Sequence, residues 1–322
     1  MSAPASVRVR PFAGHLWTLS GQLRAALAPP PVPAARPWTT LLDDPVAGRV
    51  RLSGLLGGPP EADRLLLLVH GLGGSVASPY LRTAARAAAA AGFATLRLDL
   101  RGADRRGEDY HHAGLTADLE AALASSGVAR FERIFLLGYS LGGHLVLRYL
   151  TEAPDPRVRA GAAVCAPLDL AAGADAIDAP ARWPYRRYLL GHLNEIYAAV
   201  AARRPVPVPV ARARRVRRIR EWDDLVVAPR FGFRDAADYY ARMSVGPRLG
   251  ALRRPALLVS ARHDPMVPAA TLAGAFASRP PGLEWRWSER GGHVHFPASL
   301  DLGLPGPAGL EGQVLGWLRA QT

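Results

Sequence analysis

Apolar and polar residues along this chain follow two alternating rhythms. Leu65–Val69, Ala94–Leu100, Arg133–Leu137, Ala160–Cys165, Ala256–Ser260 and Leu283–Ser288 are short apolar runs of strand length. Between them lie longer segments with apolar residues at helical spacing: Tyr80–Ala91, Leu115–Ser125, Leu141–Leu150, Thr271–Ala277 and Leu310–Ala320. Strand and helix in regular turn predict an α/β fold, a mostly parallel sheet covered by helices on both faces. Two weaker stretches, Thr39–Leu42 and Arg49–Gly54, alternate with period two and predict antiparallel strands at one edge.

The rhythm stops over residues 168–243, where no strand pattern appears. That is too long for a bare loop in a compact domain. Tyr185, Tyr188, Leu189, Leu193, Ile196, Tyr197 and Val200 recur at helical spacing, as do Val216, Ile219 and Trp222. The segment is expected to form a helical cap over the strand ends, within one domain spanning 38–322. Residues 1–37, proline-rich at their end, are expected to form an N-terminal arm. No stretch there has the apolar core of a signal peptide, and no run is long enough to span a membrane, so a cytoplasmic monomer is expected.

In such sheets, chemistry gathers where strands end. After Leu65–Val69 comes His70-Gly71-Leu72-Gly73-Gly74; after Arg133–Leu137 comes Gly138-Tyr139-Ser140-Leu141-Gly142. Arg262-His263-Asp264-Pro265 and Gly291-Gly292-His293-Val294-His295 follow the last two strands. A serine between glycines at a strand-to-helix turn has the form of a nucleophile elbow, because side chains at Gly138 and Gly142 would clash across so tight a turn. Ser140, Asp264 and His293 occur in the order nucleophile, acid, base, each past a different strand. A serine hydroxyl needs a base to take its proton, and the base needs an acid to hold its tautomer. Backbone N–H groups of Leu72 and Leu141 are placed to form an oxyanion hole. Asp169 is the alternative acid. His295 lies two residues beyond His293, but Gly291-Gly292 favour His293 as the first side chain past a sharp turn. Trp183, Tyr185 and Trp222, in the cap segment, are candidates for an acyl pocket.

Composition narrows the chemistry. The formal net charge is +13, and all 40 basic residues are arginine. Without lysine there is no P-loop lysine and no Schiff base, which excludes Walker-type nucleotide hydrolysis and pyridoxal chemistry. The arginine cluster ARARRVRRIREWDD reads as a solvated face or a weak contact with anionic lipid; no nucleic-acid module accompanies it. His111 and His112 near Asp104 and Asp109 lack metal-ligand spacing, so no metal and no cofactor are expected. The single cysteine, Cys165, reads as a small buried hydrophobe.

HGLGGSVASPY, RGADRRGEDYHHAG, GYSLGGH, RRIREWDDL, ARHDP and GGHV together resemble the YheT-like branch of the α/β-hydrolase superfamily. The resemblance runs from His15 to His293, and RRIREWDDL is specific to the branch. It implies an α/β-hydrolase fold with Ser140, Asp264 and His293 as triad, no cofactor, and hydrolysis of small-molecule or lipid esters, or acyl transfer to an alcohol. His112 matches a histidine of the branch without an assigned role. His295 departs from it, since relatives often carry a small residue there. A non-catalytic ligand- or membrane-binding protein on this fold is the reading from another class, and the intact triad argues against it.

Overall fold

The computed structural model describes residues 12–27, 30–277 and 280–321. The first eleven residues of the expected N-terminal arm lie outside the described residues. Within that arm, Phe12–Leu27 forms a helix, α1. Strands β1 (Ala35–Asp44) and β2 (Gly48–Gly57) form the edge hairpin, longer than the sequence pattern suggested. Val50, Leu52 and Leu56 of β2 are buried between less buried neighbours, as a half-covered strand requires. The turn is held by Asp44, whose Oδ1 accepts the N–H groups of Val46 and Ala47, each at 2.8 Å.

The alternation then proceeds through β3 (Arg64–Val69), α2 (Pro79–Ala90), β4 (Ala94–Asp99), α3 (Thr116–Ala124), β5 (Arg133–Tyr139), α4 (Leu141–Thr151) and β6 (Val158–Val164). A helical stretch follows: α5 (Leu170–Asp178), α6 (Trp183–Ala201), α7 (Val210–Ala213), α8 (Ile219–Trp222), α9 (Ala228–Phe231) and α10 (Ala236–Met243). A π-helical turn, Asp223–Val227, joins α8 to α9. The sheet resumes with β7 (Ala256–Ala261), then α11 (Ala273–Ala277), β8 (Leu283–Ser288) and α12 (Leu310–Arg319).

The eight strands lie in the order β1-β2-β4-β3-β5-β6-β7-β8. β2 runs antiparallel to β4, and β3 through β8 are mutually parallel. This is the mostly parallel sheet flanked by helices that the alternation predicts. The chain moves from β3 out to β4 and returns to β5 on the other side of β3. The loops after β3 and β5 therefore emerge side by side where the strand order reverses, which is where open α/β sheets form their crevice. The run of leucines in β3 serves both faces. Leu65 and Leu67 pack in the core layer shared with α3 and α4, while Leu66 and Leu68 pack in the layer shared with α2 and α12. A third apolar cluster lies within the helical stretch between β6 and β7, built around Leu193, Ile196, Tyr197, Trp222 and Val226.

One buried charge cluster ties the edge hairpin to the segment after β4. Arg101 is fully buried, with Nη1 on Asp44 at 2.8 Å and Asp109 at 3.3 Å, and Nη2 on Asp118 at 2.5 Å. Arg230 reaches Asp109 from α9 at 3.0 Å. Removing the guanidinium would leave carboxylates buried without their cation, which costs far more than losing a surface pair. Arg101→Met is expected to lower stability by about 3–5 kcal/mol in urea denaturation; a change below about 1 kcal/mol would contradict the role given to this cluster.

Candidate active site

β5 ends in Tyr139, and α4 begins at Leu141, so the whole turn falls on Ser140. Its backbone sits at φ 52° and ψ −121°, in the positive-φ region that non-glycine residues rarely occupy. The strain is held by the surrounding backbone. Ser140 N–H donates to Val164 O at 2.8 Å, and His144 N–H to Ser140 O at 3.0 Å. The flanking glycines are sterically required. A Cβ at Gly138 would collide with the Gly142 backbone, and a Cβ at Gly142 would collide with the carbonyls of Val69 and His70.

The loop after β3 passes directly over this turn: a Cβ at Gly71 would stand 2.9 Å from the Ser140 Cβ. His70 anchors the loop from inside. Its Nε2 accepts the Leu100 N–H at 3.0 Å and its Nδ1 donates to Gly71 O at 2.7 Å, while burial pushes its pKa down to about 3, so the ring is neutral. Leu72 and Leu141 line the same cavity as Ser140, and among the described residues no backbone carbonyl outside the regular helices and strands accepts either amide.

Asp264 and His293 meet at the ends of β7 and β8. His293 Nδ1 lies 2.9 Å from Asp264 Oδ2 and 3.1 Å from Oδ1, with both residues buried. The carboxylate is fixed by its own loop, since Oδ1 accepts the N–H groups of Met266 (2.8 Å) and Val267 (2.9 Å). An imidazole nitrogen facing a carboxylate carries the proton, which leaves Nε2 bare in the neutral ring. Ser140 and His293 line the same cavity, of about 190 Å³.

Two residues beside this pair carry no obvious signal in sequence. Thr18, on α1, is buried; its Oγ1 donates to Gly14 O and accepts the His293 N–H, both at 2.8 Å. Helix α1 approaches closely enough for this because Gly14 lies against the carbonyl of His263 and Gly292 lies against Gly14 and Thr18. Cys165, buried at the end of β6, has its Sγ 3.7 Å from Gly292 O. Among the described residues, Cys165, Asp264 and His293 form the cluster with metal-ligand character, their ligand atoms within 4.8 Å of one another. Burial holds the thiol pKa well above its usual value, and the other two members are already joined by a hydrogen bond.

The remaining candidates separate. Asp169 caps α5, accepting the Ala172 N–H at 3.0 Å, and does not line the cavity. His295 turns the other way. Its ring covers Gly21 of α1, and its Nδ1 lies 3.1 Å from His293 O. Asp104 pairs with Arg51 at 2.6 Å, and Asp109 with Arg101 and Arg230, so neither acid serves the histidines nearby. His112 does line the cavity, tilted against Phe231 with ring centroids 4.4 Å apart.

Of the three aromatic residues expected in an acyl pocket, only Trp222 lines the cavity. Trp183 is exposed, because it stands at the first turn of α6 before the helix reaches the cavity. Tyr185 is buried but faces α1, its hydroxyl 2.8 Å from His15 Nδ1. Tyr188, Leu189, Leu193 and Ile196 supply the α6 wall instead. The arginine cluster reads from the structure as a surface. Ala213, Val216 and Ile219 are buried at three-residue intervals, while Arg212 before them and Arg214, Arg215, Arg217 and Arg218 between them are exposed. Among the described residues, no helix is long and apolar enough to cross a membrane.

Residues 64–297 match the family described by the alpha/beta hydrolase fold. YheT of Escherichia coli (strain K12), which carries a provisional esterase name, is 35% identical over 72% of this chain and 70% of its own length. Two Saccharomyces cerevisiae proteins are more distant. A monoacylglycerol lipase is 26% identical over 73% of this chain and 55% of its own, and medium-chain fatty acid ethyl ester synthase/esterase 2 is 24% identical over 72% and 58%. The chain thus spans little more than half of either yeast protein. The esterase Pf2001 of Pyrococcus furiosus superposes with a TM-score of 0.52 at 16% identity, covering 82% of this chain and 89% of that one, which shows a shared fold. The strand order, the elbow at Ser140 and these similarities lead to one conclusion: this chain belongs to the α/β-hydrolase family, in its YheT-like branch.

Proposed function

We propose that the protein hydrolyses carboxylic esters of medium-chain or lipid-like acids through a covalent acyl-enzyme. The observation that carries this reading is the strained Ser140 elbow opening into the same cavity as the Asp264–His293 pair. Ser140 Oγ attacks the ester carbonyl carbon as His293 Nε2 takes its proton. The carbonyl oxygen becomes an oxyanion held by the N–H groups of Leu72 and Leu141. Collapse expels the alcohol, which leaves with the proton from His293. Water then repeats the sequence on the acyl-enzyme, giving its proton to His293 and releasing the acid as Ser140 Oγ is reprotonated. Asp264 holds the ring and stabilises the imidazolium formed in each half. The names of the relatives, a monoacylglycerol lipase and an ethyl ester synthase/esterase among them, support an acyl ester as substrate.

The acyl chain is assigned to the wall formed by α6, α8 and the π turn, where Leu189, Leu193, Ile196, Ile219 and Trp222 line the cavity. A pocket of this kind discriminates by burying methylenes, each contributing about 0.8 kcal/mol. The test is a 4-nitrophenyl ester series from acetate to laurate. Turnover should rise from acetate to the medium chains. Trp222→Ala should move the preferred length by two or more carbons while changing acetate turnover less than about threefold. An unchanged length profile would place the acyl chain elsewhere.

A further inference from the structure

The wall assigned to the acyl chain is apolar over most of its extent but carries one carboxyl group. Asp223, the first residue of the π turn, is 9% exposed and lines the cavity next to Ile219 and Trp222. Its Oδ2 accepts the Tyr240 hydroxyl at 2.6 Å. Among the described residues no group donates to its Oδ1, and no arginine pairs with it. Arg220, the nearest cation in sequence, pairs with Asp175 at 2.8 Å. The neighbouring acids are each engaged: Asp178 accepts the N–H groups of Ile219 and Arg220, and Asp224 that of Ala236 at 2.6 Å. Burial raises the Asp223 pKa to about 7, with Asp178 and Asp224 pushing the same way against the Tyr240 hydrogen bond and Arg220.

His112 lines the same cavity. His112 Nδ1 accepts the Gly114 N–H at 3.0 Å, so its proton is on Nε2, and burial holds its pKa at about 3. The ring lies 5.6 Å from that of Tyr239, which lies 5.2 Å from that of Tyr240, so a chain of aromatic contacts leads from His112 to the Tyr240–Asp223 hydrogen bond. Buried polar groups of this kind are costly when left unmatched. A plain alkyl chain lying across Asp223 would exclude water from Oδ1 and offer nothing in return.

We propose that the preferred substrate carries a hydroxyl group on its acyl chain, which donates to Oδ1 of Asp223. A hydroxyl serves the carboxyl in either protonation state, since it donates equally to a carboxylate oxygen or to the carbonyl of the acid. A site built around such a hydrogen bond rejects the analogue that lacks it more strongly than an apolar pocket rejects an added hydroxyl. The inference rests on the pocket being the acyl site of an ester hydrolase.

The test compares 4-nitrophenyl decanoate with 4-nitrophenyl hydroxydecanoates in which the hydroxyl moves along the chain. In the wild type, at least one hydroxylated ester should exceed the plain ester about tenfold or more in kcat/KM. In Asp223→Leu/Tyr240→Phe, which replaces the polar pair as a unit, that advantage should fall to within about twofold, with circular dichroism as folding control. Asp223→Ala, which only removes atoms, takes its place if the double variant does not fold. Hydroxylated esters no better than the plain one, or an advantage that survives loss of Asp223, would overturn the proposal. Calorimetric binding of decanoate and the best hydroxydecanoate to Ser140→Ala separates this from the esterase reading. A hydroxyl preference there, with no turnover of any ester by the wild type, would sink the esterase reading alone; equal binding would sink this one.

Discussion

Ser140→Ala is expected to lower turnover of 4-nitrophenyl esters by about a millionfold, down to what the remaining groups contribute over water. The variant should melt within a few degrees of the wild type. Three features of the site support that separation. The Ser140 backbone, not its side chain, bonds into the sheet, through N–H to Val164 O and through its carbonyl to His144. The positive φ belongs to the turn itself, and alanine meets the same strain there as serine does. Among the described residues no group is hydrogen-bonded to the Ser140 hydroxyl, so its loss orphans no buried partner. Activity retained within tenfold of wild type in purified protein would remove Ser140 as the nucleophile and the acyl-enzyme with it.

The two neighbouring histidines should behave in opposite ways. His293→Ala is expected to cost about 10⁵- to 10⁶-fold in kcat, because nucleophile and base act as one unit and either loss disables both. His295→Ala should cost less than about tenfold. The geometry behind this contrast is direct. His293 Nδ1 is held by Asp264, and its backbone N–H by Thr18, leaving Nε2 toward the cavity that Ser140 lines. His295 projects over Gly21 of α1, into a separate groove that it shares with Phe296 and Trp17. Steady-state kinetics on both variants, with circular dichroism spectra matched to wild type, decide the assignment. Retained activity in His293→Ala with loss in His295→Ala would reverse it.

What could be read from the sequence, and what could not, divides by the range of the interaction. The elbow was readable because its requirement is local: Gly138 and Gly142 are needed by atoms at most a turn away or on the adjoining strand. The strand ends are readable because each buried run is short and closes on polar residues, so the sequence alone places Ser140, Asp264 and His293 just past three different strands. Helix α1 was not. Its contact with the base spans 275 residues, and its leucines mislead. Leu16, Leu19, Leu23 and Leu27 are exposed, while Gly14, Thr18 and Gly21 make the tight inner contacts. The spacing of those small residues, four and then three apart, is the signal that could have marked a helix face built for close approach. In the helical stretch, periodicity identified the buried face of α6 but not which buried residues border the cavity. Tyr185 and Leu189 share that face, yet only Leu189 lines the cavity. The π turn at Asp223 has no period of its own, and its place in the pocket follows from how α8 and α10 pack.

The most direct test of the account is covalent. Purified protein is treated with a fluorophosphonate and examined by intact mass spectrometry and peptide mapping. One adduct is predicted, on the peptide carrying Ser140, forming in step with loss of esterase activity, absent in Ser140→Ala and slowed by orders of magnitude in His293→Ala. An adduct on another residue, or full inhibition without modification of Ser140, would contradict the mechanism.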